Sequence, residues 1–422
     1  MSGIDVISDT TGKNIVDAIN GLKSTITTGT VYGFHIDSDE GDPSSAVTYL
    51  RDAVGMTPAK MDYTGDKFDY GSWEDAFFMP RPCMLKKNGV VAYYLNPDDL
   101  AKKADGTDSD IANTAFEGNA MMEWGKDGKK IWLKVVPKGT NSTSADVYIA
   151  DYQVDSDYHA WSFLDANGAY IDHFYTPIYN GSLVDGVMRS ISGQAVSQKL
   201  TANNEIAYAQ ANGAGWMIEN VGDRLLINYL LILMGKSLNM QEVFGQGITS
   251  GSETAFNAYA TGALNDKGLF YGSSNTTTAV KVFGMENYWG LQWRRTTGMV
   301  IQNGTIKYKL TESAADGAPG GYTITGENYI ASGVATTGTS GSYIKTMAYA
   351  KDGAVLPADA SGSSTTHYCD AAWFNFNGNM YARFGGCADG GAFCGAFSLS
   401  LTGPASHGWW AAGDAVSCKP LA

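Results

Sequence analysis

Cysteine thiols are potentially the most reactive side chains in this sequence. Cys387 and Cys394 form the one close pair among five cysteines. A thiolate acts as nucleophile or metal ligand only where basic or metal-binding neighbours lower the thiol pKa. Neither cysteine has an evident neighbour of that kind, and the sequence contains no CxxC pair or Cys/His cluster with zinc spacing. We therefore expect free thiols and predict no catalytic residue, no cofactor and no metal.

Two other polar groups could in principle do chemistry. Asp37, Asp39, Glu40 and Asp42 are clustered carboxylates of the kind that calcium prefers, but the Gly and Glu positions of an EF-hand loop do not follow. An acidic turn is the simpler interpretation. A Ser/His/Asp site could be imagined around the histidines at 159 and 173, but no nucleophile elbow accompanies them, so structural histidines are favoured.

The last fifty or so residues, about 368–422, have a different character. Glycines and small residues separate apolar anchors there, and Phe397–Leu401 alternates apolar and polar residues as a half-buried strand does. The pattern predicts a loop-rich β-subdomain that is rigid at its anchors and free between them. The anchors are Trp373, Phe376, Phe384, Phe397, Leu399, Leu401 and Trp410.

The residues between these anchors come from a restricted set. Residues 384–414 contain no Lys, Glu, Gln or Met, and most positions between anchors can be reached from an AAC codon by changing its two adenines. Ordinary Gly/Ala/Ser-rich loop composition is the alternative explanation, and Trp409 needs another template codon. We predict that one exposed, ligand-binding patch consists of Ala371, Ala372, Phe374, Tyr381, Cys387, Ala388, Asp389, Ala392, Phe393, Thr402, Gly403, Ser406, His407, Gly408 and Trp409. Trp373 and Trp410 are expected in the core, with Trp409 facing the opposite way from Trp410.

The frame GG…G…GAF.L.L…WW..G…L at residues 385–421, with its SCKPLA ending, resembles the variable carboxyl terminus of phage proteins diversified by retroelements. Such proteins carry a C-type-lectin-like fold related to that of formylglycine-generating enzymes. The resemblance implies a phage tail receptor-binding or tropism-determining protein. Its hypervariable surface would bind a host-cell surface protein or glycan.

A second resemblance lies at residues 284–298, which read GMENYWGLQWRRTTG. This stretch is similar to the G-x-E-N-x-W-G-x-x-W-x-W segment of the formylglycine-generating-enzyme-like branch. Arg294 and Arg295 stand where that branch often carries Glu and Trp, so the packing there is expected to differ. With weaker matches between and before these motifs, the resemblance runs from about Val135 to Ala422, roughly two thirds of the chain.

The local patterns predict an α+β fold. Thr201 caps a helix over 202–211, and Asn220 or Asp223 opens a second, heavily buried helix through Met234. Hairpins are predicted at 83–95 and 121–136. We expect an amino-terminal helical docking or oligomerisation segment at 1–30, a small β-rich domain at 31–113 and a C-type-lectin-like domain at 114–422.

The net charge and the amino-terminal sequence limit the classes of partner and the cellular location that we expect for this protein. A formal charge of −14 argues against nucleic acid and against an anionic membrane surface. The first twelve residues lack the basic and apolar regions of a secretory signal, and no apolar run is long enough to span a bilayer. We expect a protein made in the bacterial cytoplasm and assembled into a virion. Its partners would be phage tail proteins and other copies of itself, most simply in a trimer.

Three other functions are compatible with the same fold. A formylglycine-type enzyme would use Cys387 and Cys394 with copper, a calcium-dependent lectin would need EPN or QPD and WND motifs that are missing, and a structural tail protein would need no variable surface. A reverse transcriptase gene and a near-copy of the last codons beside this gene would separate these alternatives.

Overall fold

Short β-strands make up most of the fold. The computed structural model describes residues 29–311 and 329–421. The first half of the chain contains β1 (Val31–Ile36), β2 (Val47–Arg51), β3 (Lys60–Asp62), β4 (Lys67–Asp69), β5 (Arg81–Lys86), β6 (Val91–Tyr94), β7 (Gly118–Trp124), β8 (Trp132–Lys138), β9 (Ser144–Ala150), β10 (Phe174–Pro177), β11 (Ser182–Val184) and β12 (Val187–Arg189).

Helices and further strands follow in the second half. The helices are α1 (Ala202–Gln210), α2 (Val221–Gly235), α3 (Met240–Phe244) and α4 (Glu253–Asn257). The strands are β13 (Trp216–Ile218), β14 (Lys281–Val282), β15 (Met285–Glu286), β16 (Trp293–Gln302), β17 (Thr305–Tyr308), β18 (Ile330–Ala331), β19 (Thr337–Gly338), β20 (Ser342–Tyr343), β21 (Thr346–Tyr349), β22 (Val355–Ala360), β23 (Ala371–Phe374), β24 (Met380–Gly385), β25 (Gly395–Gly403), β26 (Ala412–Gly413) and β27 (Val416–Cys418). The predicted α+β class is confirmed.

The two main helices form where the capping residues predict them. The Thr201 hydroxyl accepts a hydrogen bond from the Asn204 N–H at 3.3 Å, and the Asn220 side chain accepts from the Gly222 N–H at 2.6 Å. Both bonds satisfy N–H groups that a helix start leaves without partners. Every residue of α2 is buried, so this helix lies inside the core, as its apolar circumference predicts.

Three larger sheets surround this core. One has the strand order β2-β1-β9-β8, and a second has the order β13-β27-β10-β7-β5-β6. The third runs β18-β17-β16-β24-β25-β23-β20, with β26 pairing in parallel to β16. Most of its neighbouring strands are antiparallel, but β23 is parallel to β25. This third sheet carries the candidate site.

The hairpin predicted at 83–95 is confirmed as the β5–β6 pair. The hairpin predicted at 121–136 is wrong, although strands form at both of its ends. β7 pairs with β5 and β10, whereas β8 pairs with β9 in another sheet. Long-range pairing therefore overrides the turn signal between β7 and β8.

The predicted domain boundary at residue 113 falls between two strands of one sheet. β5 precedes the boundary and β7 follows it, and the two pair along the whole length of β5. From Val31 onward the described residues form one compact unit. The helix predicted at Lys13–Leu22, in the segment 1–30, lies outside the described residues.

Candidate functional site

A row of side chains crosses the third sheet at its centre. Trp373 pairs with Ser400, Ser400 pairs with Arg383, and Arg383 pairs with Arg295, so one residue from each of β23, β25, β24 and β16 stands in line. Alternate residues of a strand face opposite sides of its sheet. Leu399 and Leu401 on β25 are buried in the main core, whereas Ser400 lines a pocket on the other side.

Aromatic rings form the walls of that pocket, which has a volume of about 400 Å³. The Trp293 and Trp373 rings meet edge to face with centroids 5.4 Å apart, and Trp373 meets Phe393 in the same way at 5.7 Å. Phe393 lies in a 3-10 turn before β25, and Trp409 comes from the loop after it. The remaining lining residues are Arg383, Cys387, Asp389, Gly390, Ser400, Thr402 and His407.

A guanidinium group contributes to the lining of the pocket. Arg383 is only 3% exposed, and its Nη2 donates a hydrogen bond to Nδ1 of His407 at 2.8 Å. Burial, followed by the charge of Arg295, lowers the pKa of Arg383 to about 10, so this group is still a cation at pH 7. The pKa of His407 is also lowered, mainly by burial and then by Arg383 and Arg295. His407 is therefore neutral at pH 7, with Nδ1 free to accept.

A buried ion pair supports the pocket from below. Nε of Arg295 donates to the Glu205 carboxylate on α1, and both side chains are fully buried. Nη2 of Arg295 donates to the backbone carbonyl oxygen of His407 at 3.0 Å. Arg295 thus connects α1 and β16 with the loop that carries His407 and Trp409.

The two cysteines near the pocket are poor nucleophiles. Burial raises the pKa of Cys387 well above its ordinary value and raises that of Cys394 to about 12. The Cys387 thiol donates to Oδ1 of Asp389 at 2.9 Å, and the Cys394 thiol donates to the Cys387 carbonyl oxygen at 3.3 Å. Both thiols are protonated at neutral pH, and each serves as a hydrogen-bond donor.

The predicted contact residues divide into groups. Those that line the pocket are Cys387, Asp389, Phe393, Thr402, His407 and Trp409. Those that are exposed beside it are Ala392, Ser406 and Gly408. Phe374 is half-buried, and its ring stacks on Phe376 with centroids 6.0 Å apart.

The exposure predicted for the remaining five positions is wrong. Ala371 and Ala372 lie on β23 between two other strands, and Tyr381 packs into a second apolar cluster with Val300 and Val416. The last two, Ala388 and Gly403, are buried as well. Ala388 donates its N–H to the Leu291 carbonyl oxygen, and Gly403 lies against the Arg383 guanidinium. None of the five offers a side-chain surface to a ligand.

The assignments of the tryptophans also need correction. Trp373 is half-buried and lines the pocket, whereas a core position was expected. Trp409 and Trp410 are both half-buried, with rings 5.6 Å apart, and Trp410 packs on Phe256. Strand alternation does not apply to these two, because they lie in a turn that the Ala412 N–H closes on the Trp409 carbonyl oxygen.

Sequence reasoning missed three important lining residues. Trp293 belongs to the 284–298 stretch but was not connected with the carboxyl-terminal residues. Arg383 and Ser400 are polar residues at alternating positions inside apolar strands. A charged residue inside such a strand could have marked the face that is turned away from the main core.

The described residues provide neither a metal-binding cluster nor a helix that could span a membrane. Within residues 29–311 and 329–421, no cluster of three or more His, Cys, Asp or Glu side chains is placed to hold a metal ion. A larger pocket of about 710 Å³ contains none of the predicted contact residues. The helices in these ranges all lack the length and apolar character that crossing a bilayer requires.

No protein-family model matches the chain, and no curated protein matches it. Among solved structures, the chain is similar to the Major Tropism Determinant U1 variant, with 12% identity, a TM-score of 0.29, and coverage of 93% of this chain and 73% of that chain. It is also similar to the Major Tropism Determinant P3c variant, with 13% identity and the same TM-score and coverage. At this level of likeness no residue role transfers from either structure.

Proposed function

We propose that this chain is a phage tail receptor-binding protein. In this proposal a C-type-lectin-like domain at 114–422, completed by β5 and β6 from the preceding segment, presents a retroelement-diversified surface to a variable host-cell ligand. The ligand-binding site is the pocket between Trp293, Trp373, Phe393 and Trp409.

One observation carries the proposal. Six of the predicted variable positions, from three separate stretches of residues 387–409, line a single pocket. Its concave shape, aromatic walls and few polar groups are typical of ligand sites. Large rings of this kind often supply much of the binding energy at interfaces.

The arrangement also explains how such a surface could vary without unfolding. Phe397, Leu399 and Leu401 are buried in the main core, whereas Ala392 and Ser406 are exposed near the pocket. Gly408 is exposed too, but a Cβ there would lie 2.6 Å from the Lys199 carbonyl oxygen, so it is set apart from these two variable positions. Substitutions at exposed positions away from caps and packed turns usually change the free energy of unfolding by less than ~0.5 kcal/mol. Diversity at these positions is compatible with one stable scaffold.

The protonated thiols favour binding over catalysis. A cysteine nucleophile requires a lowered pKa, and burial has the opposite effect on Cys387 and Cys394. We therefore propose no enzymatic activity. The segment 1–30 is proposed to dock on other tail proteins and to assemble the chain as a trimer in the virion.

Competition for adsorption tests the proposal. The purified full chain, added to cells of the host strain, should occupy the receptor and slow adsorption of the phage that carries the gene. The same chain with several pocket residues exchanged for those of a sister variant should not compete. Unchanged adsorption at saturating wild-type chain would overturn the receptor-binding role.

Sequencing the DNA beside the gene tests diversification separately. We expect a reverse transcriptase gene and a near-copy of the last codons, with adenines at the sites that differ. If the neighbouring DNA contains neither element, the receptor-binding proposal still stands, but diversification by a retroelement is refuted.

A further inference from the structure

The positive charge of Arg383 has no ion-pair partner in the part of the chain that the structure describes. Among the described residues, no carboxylate lies within ion-pair distance of its guanidinium, and its Nε has no hydrogen-bond partner. The nearby Glu205 carboxylate is already paired with Arg295. A buried charge without a counter-charge is costly, so a ligand that supplies an anion would stabilise this group.

The position of that guanidinium depends on a residue with no side chain. Gly403 lies on β25 with Nη2 of Arg383 where its Cβ would be, and Nη1 of Arg383 would be 3.0 Å from the same point. Any other residue at position 403 would therefore displace the guanidinium. Gly403 is one of the predicted variable positions, although it is itself buried.

The rest of the lining matches a sugar ring. Indole faces pack well on the C–H face of a pyranose. The Ser400 and Thr402 hydroxyls bond to each other at 3.0 Å, which leaves one of their two protons and their spare lone pairs for sugar hydroxyls. A volume of about 400 Å³ is sufficient for one or two such rings. An acidic peptide side chain carries the anion but has no ring face to cover the half-buried rings of Trp373 and Trp409.

We propose that the pocket binds an acidic sugar residue of a host-surface glycan, with its carboxylate on Arg383, and that Gly403 sets this charge preference by leaving room for the guanidinium. The inference rests on the proposed receptor-binding function and names its ligand class. Position 403 would alter specificity as a positioning residue, without touching the ligand.

Matched sugars test the proposal directly. Methyl β-glucuronide and methyl β-glucoside differ at the C6 carboxylate, and N-acetylglutamate carries carboxylates without a ring. Each is titrated into the full chain at pH 7 and constant ionic strength, with tryptophan fluorescence as the readout. We expect the glucuronide to bind about tenfold or more tightly than the glucoside, because only its carboxylate makes a charge-assisted bond to the guanidinium. It should also bind about tenfold or more tightly than N-acetylglutamate, because only the glucuronide has a ring face that packs on the aromatic walls.

Variants then assign the effect to residues. Arg383→Gln and Gly403→Ala should each reduce the glucuronide preference to about the level of the glucoside. Asp389→Asn should increase it, because a negative charge leaves the lining. Arg51→Gln, at a cation that lies over Tyr148 and outside the pocket, is the matched control and should change nothing.

The outcomes separate this inference from the proposed function. Equal binding of glucuronide and glucoside by the wild-type chain would overturn the acidic-sugar pocket, and so would tightest binding of N-acetylglutamate. If the chain still blocks phage adsorption in that case, receptor binding stands. If the glucuronide preference holds but adsorption is unaffected, the pocket assignment stands and the receptor-binding role fails.

Discussion

The buried pair between Glu205 and Arg295 should be a strong determinant of stability. Both side chains are fully buried, so removing Glu205 leaves the Arg295 guanidinium without its hydrogen-bonded counter-charge, and only the buried Asp414 carboxyl remains near it. Breaking a buried pair in this way costs about 3–5 kcal/mol of the free energy of unfolding. We expect Glu205→Ala to fall in that range, and Glu205→Gln near its lower end because an amide can still accept a hydrogen bond.

The corresponding thermal shift is smaller than it would be for a small domain. An unfolding entropy of about 2.1 cal/mol/K per residue gives roughly 0.8 kcal/mol/K for the unit that begins at Val31, so the loss lowers Tm by about 4–6 °C. Urea unfolding followed by circular dichroism measures the free energy, and a thermal scan measures Tm. Glu253→Gln is the matched control, because its pair with Lys199 is exposed and is worth less than about 1 kcal/mol.

A double variant tests the cause of this loss. Glu205→Met combined with Arg295→Met removes both charges and should recover much of the stability that Glu205→Ala loses. A loss below about 1 kcal/mol in Glu205→Ala would refute the reasoning. A double variant as unstable as the sum of its two single variants would also refute it.

Two further predictions concern the helix cap and the pocket histidine. Asn220→Ala removes the acceptor for the Gly222 and Asp223 N–H groups and should lower the free energy of unfolding by about 1 kcal/mol, measured by urea unfolding. An unchanged free energy of unfolding would mean that the cap is not needed. Because its folded-state pKa is lowered below 6.5, His407 contributes stability that is present above that pH and is lost as pH falls below it. The Tm advantage of wild type over His407→Asn should therefore shrink between pH 7.5 and pH 5, and an advantage that grows would contradict the assignment.

Local signals in the sequence are sufficient for the elements that depend on near neighbours. The caps at Thr201 and Asn220 place the two main helices, and the alternation at Phe397–Leu401 places β25. These features succeed because each is decided within a few residues of chain. The strand signals at the two ends of the predicted 121–136 hairpin are also correct, since β7 and β8 form there. Their pairing is long-range, because β7 pairs with β10 and β8 pairs with β9.

The lining of the candidate pocket was predicted only in part, for a similar reason. His407, Trp409 and Phe393 were found because the spacing between anchors marks them. Trp293 is about a hundred residues away along the chain and reaches the pocket through the pairing of β16 with β24 and β26. The strand pattern around Arg383 indicates which face of the sheet it occupies, but the position of its guanidinium depends on Gly403 of the neighbouring strand.

The central claim is that buried anchors hold the fold while pocket residues bind the partner, and two alanine variants test it most directly. Trp409→Ala and Phe397→Ala are compared in the adsorption competition assay and in urea unfolding. We predict that Trp409→Ala loses at least tenfold in competition while its free energy of unfolding changes by less than ~1 kcal/mol. Phe397→Ala should instead lose about 3–5 kcal/mol, because Phe397 is 3% exposed and packs on Tyr368. Unfolding of Trp409→Ala, or full competition by it, would contradict the claim.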